Sequence, residues 1–150
     1  LNNQFILNKI NRILKSFKTG DLYELADFLN ITVLEDDLGE MGGFYFYVVK
    51  NKLILLNCNL SEAHKKIVLA HEISHAILHT KLNCAFYKTH TLMSTAKIEN
   101  EANYCGAILL KELKVLNDEM FCIYSKEITE KDEGFIKIMN ELRTQLEQIC

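Results

Sequence analysis

The sequence predicts an α+β domain, with helices at both ends and a small antiparallel sheet between them. Three observations carry this. Apolar residues recur at helical spacing from Asn3 to Asn30 and again after Ser61. The stretch between is rich in β-branched and aromatic residues. No strand-helix-strand alternation repeats along the chain, so a parallel sheet of βαβ units is not expected.

Ile6, Ile10, Ile13, Leu14 and Phe17 put one apolar face on a helix from Asn3 to Phe17. "TGDLYELADFLN" reads as a second helix, capped by Asp21 and stopped at Asn30. "ITVLE" is a short first strand. Phe44–Val49 and Leu53–Asn57 read as a hairpin around a turn at Lys50-Asn51-Lys52. Ser61 caps a long helix reaching about Thr80. Cys84 to Thr95 reads as loop, and "AKIENEANYCGAILLKELKVL" as a strong helix. A weaker segment, Asn117 to Ser125, leads to a final helix from Thr129.

The chain has 150 residues and a net charge of −3. That length suggests one domain, and that charge gives no nucleic-acid or membrane-surface footprint. No apolar run reaches the roughly 18 residues that span a bilayer. The opening segment, which begins at Leu1, lacks a signal-cleavage pattern and reads as a mature helix. Five cysteines, an odd number without a CxxC pair, argue for free buried thiols in a reducing cytoplasm.

Chemistry concentrates in "LAHEISHAILHT", Leu69 to Thr80. On a helix, His71 and His75 stand one turn apart on one face and can share an ion. Glu72 lies about 100° around from His71, where it can serve a water in the open position without being a ligand. An ion there lowers the pKa of bound water, and Glu72 can take the proton as general base. Two imidazoles and a carboxylate suit Zn2+. His79 is about 12 Å along the axis from His71 and cannot share its ion. It reads as a packing residue or one that orients a ligand. The metzincin pattern is excluded, because Lys81 stands where its third histidine belongs.

A catalytic site needs a third protein ligand. His64 and His90 are poorly placed. Glu99 is the better candidate, sharing a face with Asn103, Gly106 and Leu110. Asn103 is then expected to hydrogen-bond a histidine's second nitrogen, and small Gly106 to let two helices approach. Glu101 points about 200° away and is expected in solvent, yet it remains the alternative ligand.

"LNCNLSEAHKKIVLAHEISHAILHT" followed by "ENEANYCGAILL" resembles the ImmA/IrrE-type metallo-endopeptidases, from Tyr23 to about Leu110. The resemblance implies a zincin-like (gluzincin-like) fold, with zinc on His71, His75 and Glu99 and with Glu72 as catalytic base. It also implies a cytoplasmic enzyme, encoded on mobile elements such as prophages or in bacterial genomes, that cleaves a cognate helix-turn-helix repressor of its mobile element or of a stress regulon. Such an enzyme needs no DNA-binding face of its own. The family usually follows EAN with an aromatic residue and alanine, then LLMP. Here Cys105 and Gly106 occupy the first pair and "LLKE" the end, changes that bear on packing. The expected organisation is a single metallopeptidase domain with a core of about 20–116 and a divergent helical segment at about 117–150.

An extended substrate could add to an exposed edge strand, with either strand of the hairpin as the edge. Two other readings compete. A non-catalytic metal-bearing module would bind the repressor without cutting it. A structural zinc site would close its coordination with a fourth protein ligand, Cys84 or His90.

Overall fold

The computed structural model describes residues 2–81 and 92–115. Helices α1 (Asn3–Phe17) and α2 (Leu22–Phe28) precede strands β1 (Ile31–Asp36), β2 (Gly43–Val48) and β3 (Asn51–Asn57). Helices α3 (Glu62–Leu78) and α4 (Leu92–Glu112) follow. The α+β arrangement is as expected. The segment Asn117 to Ser125, the helix from Thr129, and the candidates Cys84 and His90 lie outside the described residues. Among the described residues, no helix is long and apolar enough to cross a membrane.

Local chemistry accounts for the element ends. The Asn2 side chain accepts from the Phe5 N–H at 2.7 Å and starts α1. Asp21 and Glu24 form a reciprocal capping box on α2. Asn30 ends that helix region at a φ of 57°, a left-handed conformation that asparagine tolerates well. Ser61 caps α3 by accepting from the His64 N–H at 3.2 Å. Helix α4 begins at Leu92, inside the stretch from Cys84 to Thr95 that reads as loop in the sequence.

The sheet differs from expectation. It is mixed, in the order β1-β3-β2, with β1 parallel to β3 and β2 antiparallel to it. A short apolar run carries no direction, and neighbouring strands usually pair, so the sequence favours an antiparallel meander. Here the last strand inserts between the first two. Residues 37–42 carry the chain across the end of β3, and the buried Asn57 holds them there. Its amide donates to the carbonyls of Gly39 at 2.8 Å and Met41 at 3.0 Å. Leu53–Asn57 is therefore central and offers no edge. Among the described strands, β1 and β2 are the edges.

The hairpin turn is also one residue earlier than Lys50-Asn51-Lys52. Val48 pairs with Asn51, leaving Val49 and Lys50 as a two-residue turn with φ of 49° and 61°. Two positive φ values give the primed turn that matches strand twist. Asn-Gly is its usual signature, and Val49-Lys50 conceals it.

Helix α3 is the core element. Nearly every residue from Ala63 to Ile77 is buried, as befits a helix covered on most sides. The inward residues Tyr45, Ile54 and Leu56 of the sheet join Ile67, Leu69 and Ile73 in one core with α1 and α4. Gly43 permits the close seating of β2. A Cβ there would meet the Leu55 carbonyl oxygen at 2.6 Å and Val68 at 2.9 Å. The Tyr45 hydroxyl donates to the Thr80 carbonyl and fastens the chain just past α3. Cys105 is buried, and burial pushes its thiol up to about 12. Cys58 is exposed, against the expectation of buried thiols, because it lies just past the end of β3.

The turn makes a prediction. A β-branched residue in the left-handed region costs about 1–2 kcal/mol. Val49→Asn should therefore raise the melting temperature by a few degrees in a thermal melt. An unchanged or lower value would contradict a positive φ at Val49.

Candidate metal centre

Five polar side chains of α3 and its end are buried together: His71, Glu72, Ser74, His75 and His79. Burying polar groups is costly unless they find partners. Ser74 finds one within the helix, donating to the Ala70 carbonyl at 2.7 Å. The three histidines find theirs on one another and on α4.

Helix α4 packs closely on α3. A Cβ on Gly106 would stand 3.5 Å from the Ala70 carbonyl and from the Cα of His71. The two backbones thus approach to within one methyl group of each other. This crossing puts Glu99 beside the histidines. The His71 Nε2 lies 3.0 Å from Glu99 Oε2, and the His75 Nε2 lies 3.2 Å from Glu99 Oε1. The two Nε2 atoms are 3.1 Å apart. Among the described residues, His71, His75 and Glu99 form the group that could hold a metal ion.

The donor set fits a divalent cation. Two atoms bound at about 2.0–2.1 Å to one tetrahedral ion stand roughly 3.3 Å apart. The observed spacings of 3.0–3.2 Å are close to that. The two Nε2 atoms cannot both be lone-pair acceptors at this distance without a proton or a cation between them. Burial pushes Glu99 up, but hydrogen bonds and charge from His71 and His75 outweigh it. The carboxyl is held well below its usual range, so it is an anion ready to ligate.

Glu72 is 3% exposed, and its Oε2 has no hydrogen-bond partner among the described residues. A buried carboxylate oxygen in that state calls for an ion, a water or a reacting group nearby. His64 lies in the first turn of α3, outside the cluster.

Glu101 departs from expectation. It is not in solvent but 9% exposed, with Oε2 at 2.9 Å from the His79 Nε2. A projection around α4 alone misleads here. His79 is the C-cap of α3, with non-helical φ and ψ of −128° and 46°, so its ring leaves the regular row. Its Nδ1 lies 3.1 Å from the His75 Nδ1. For His75, then, the second nitrogen meets His79, the role sequence reasoning considers for Asn103. Burial pushes the His79 pKa down, the Glu101 hydrogen bond pushes it up, and the His75 charge lowers it. The net lowering keeps the ring neutral near pH 7. The signal that could have exposed this pair was a second histidine one turn after His75, matched by a second acid after Glu99.

A paired histidine turn, a glutamate from the next helix and a carboxylate beside the first histidine define the metallopeptidase class of site. A peptidase family model described as the IrrE N-terminal-like domain matches residues 26–150, and the chain belongs to this family. It is 43% identical over 102 residues to the "uncharacterized immunity region protein 2" of Bacillus phage phi105. That alignment covers 67% of this chain and 65% of the phage protein's length. It is 29% identical over 124 residues to "Metallopeptidase ImmA" of Bacillus subtilis (strain 168), covering 81% of this chain and 73% of that protein.

The helix crossing is testable. Gly106→Ala should leave stability unchanged or raise it by up to about 1 kcal/mol, since alanine is the better helix former and its methyl meets ordinary contacts. Gly106→Leu should cost about 1–3 kcal/mol by overpacking. Thermal or denaturant unfolding distinguishes the two, and equal tolerance of leucine would contradict the close approach.

Proposed function

We propose that this chain is a zinc-dependent endopeptidase that cleaves a helix-turn-helix repressor in the cytoplasm. The observation that carries the reading is the convergence of His71, His75 and Glu99 at 3.0–3.2 Å beside a buried Glu72. Chain and site read as a single metallopeptidase domain, 1–150. The choice of zinc rests on the donor set of two imidazoles and one carboxylate.

His71 and His75 would hold the ion through Nε2, and Glu99 through a carboxylate oxygen. Bound zinc would supply Lewis acidity and a water that ionises near neutral pH. Glu72 would take the proton from the attacking water and pass it to the leaving amine nitrogen. Its burial supports this role, because Glu72 Oε2 has no hydrogen-bond partner among the described residues and is left to meet a water.

Strand β2 is suited to receive substrate. Only one of its edges is paired among the described strands, and an extended peptide can add to such an edge by main-chain hydrogen bonds. The repressor as substrate is supported by the names of the relatives, one a metallopeptidase and the other a phage immunity-region protein. A net charge of −3 agrees with a protein that reaches DNA only through its substrate.

Metal analysis and a cleavage assay test this together. The wild type should bind about one zinc and cut its cognate helix-turn-helix repressor. Glu72→Gln should keep the zinc and lose activity by about 10²–10⁴-fold, the usual contribution of a general base. Cleavage by that variant at the wild-type rate would exclude Glu72 as the base. An intact repressor that stays bound to zinc-loaded wild type would make the chain a binding module instead. Glu99→Ala should lose zinc while His71 and His75 remain, and retention of full affinity would remove Glu99 from the ligand set.

A further inference from the structure

Resting on the zinc reading, we propose that Glu101 and His79 are positioning residues that fix the tautomer and ring orientation of His75. They touch neither the ion nor the substrate. They act by deciding which nitrogen of His75 carries the proton.

Protons can be placed one by one along this line of atoms. A ligating imidazole nitrogen carries no proton, so the His75 Nε2 must be bare where it faces His71 and Glu99. The proton of neutral His75 then sits on Nδ1. That nitrogen faces the His79 Nδ1 at 3.1 Å, which must accept. His79 accordingly keeps its own proton on Nε2, and this N–H donates to Glu101 Oε2 at 2.9 Å. One assignment satisfies both of these contacts, and the carboxylate at the end, which only accepts, sets its direction.

Remove the carboxylate and the direction is lost. His79 could then carry its proton on Nδ1, pointing at the His75 Nδ1. His75 would be driven to hold its proton on Nε2, in the space between the three ligands. Glu101 is well placed to prevent this. It is 9% exposed, and its Oε1 lies 4.0 Å from the Lys97 ammonium, leaving Oε2 to His79. The relay also gives a reason for burying a histidine and a glutamate outside the ligand set. Ligand histidines generally donate their second nitrogen to a carboxylate or carbonyl. Here one imidazole is interposed, because α4 has already used Glu99 for the ion.

Two readouts test this. The first is zinc affinity by competition with a chromophoric chelator. Glu101→Ala and His79→Leu should each weaken binding by about 10–100-fold at unchanged stoichiometry. His79→Asn, whose amide oxygen can stand in for the accepting Nδ1, should recover most of the loss. Variants that fold by circular dichroism yet bind zinc as tightly as wild type would overturn the proposal. So would an asparagine variant no better than leucine. The second readout is heteronuclear NMR of the histidine side chains, which needs no variant to fold. His79 should be protonated on Nε2 and bare on Nδ1, and the reverse tautomer overturns the relay. If the wild type takes up no zinc, the metal reading fails and the relay, which needs a bare His75 Nε2, fails with it; zinc bound with His79 protonated on Nδ1 overturns the relay alone.

Discussion

The close packing of α4 on α3 is the contact on which the site depends. Two histidines one turn apart are a common accident of sequence, and alone they leave their nitrogens facing each other. Glu99 supplies the compensating charge only because its helix comes near enough. That approach is permitted at Gly106, where a side chain beyond a methyl would push on the backbone of Ala70 and His71. The same residues therefore define the helix interface and the floor of the site. A change in packing there is a change in ligand geometry.

The rest of the fold covers α3. Its His71, His75 and His79 meet Glu99 and Glu101 of α4, while Ile67, Leu69 and Ile73 join the core with the sheet and α1. Close-packed interiors transmit small displacements, so ligands seated on a fully covered helix hold their positions better than ligands on a loop. Lys65 adds a tie between layers. It is 7% exposed and pairs with Glu35 of β1 and Glu62 of its own helix, each at 3.3 Å. The Tyr45 hydroxyl on the Thr80 carbonyl fixes the end of α3 close to His79. The sheet thus supports the candidate metal centre without contributing a residue to it.

Much of this is legible in the sequence alone. Caps at Asp21 and Ser61, the stop at Asn30 and the His71–Glu72–His75 spacing are local signals, set by residues within a turn of one another. Glu99 was accessible because its helical neighbours Asn103 and Gly106 marked a face suited to close packing. What was hidden is relational. Strand direction has no local signature, so the insertion of β3 between β1 and β2 is not legible in the sequence. The Val49-Lys50 turn lacks the glycine or asparagine that betrays positive φ. The angle of Glu101 on one helix points it to solvent, whereas its partner His79 belongs to another and lies where that helix has already ended.

The central claim is that two imidazoles and one carboxylate hold a zinc ion and leave a position open for chemistry. X-ray absorption at the zinc edge of the loaded protein reads that shell directly. The account predicts only nitrogen and oxygen neighbours at about 2.0–2.1 Å, two of them imidazole, with no sulfur. A sulfur neighbour at about 2.3 Å, or a shell closed by a third imidazole, would contradict it and make the ion a structural one.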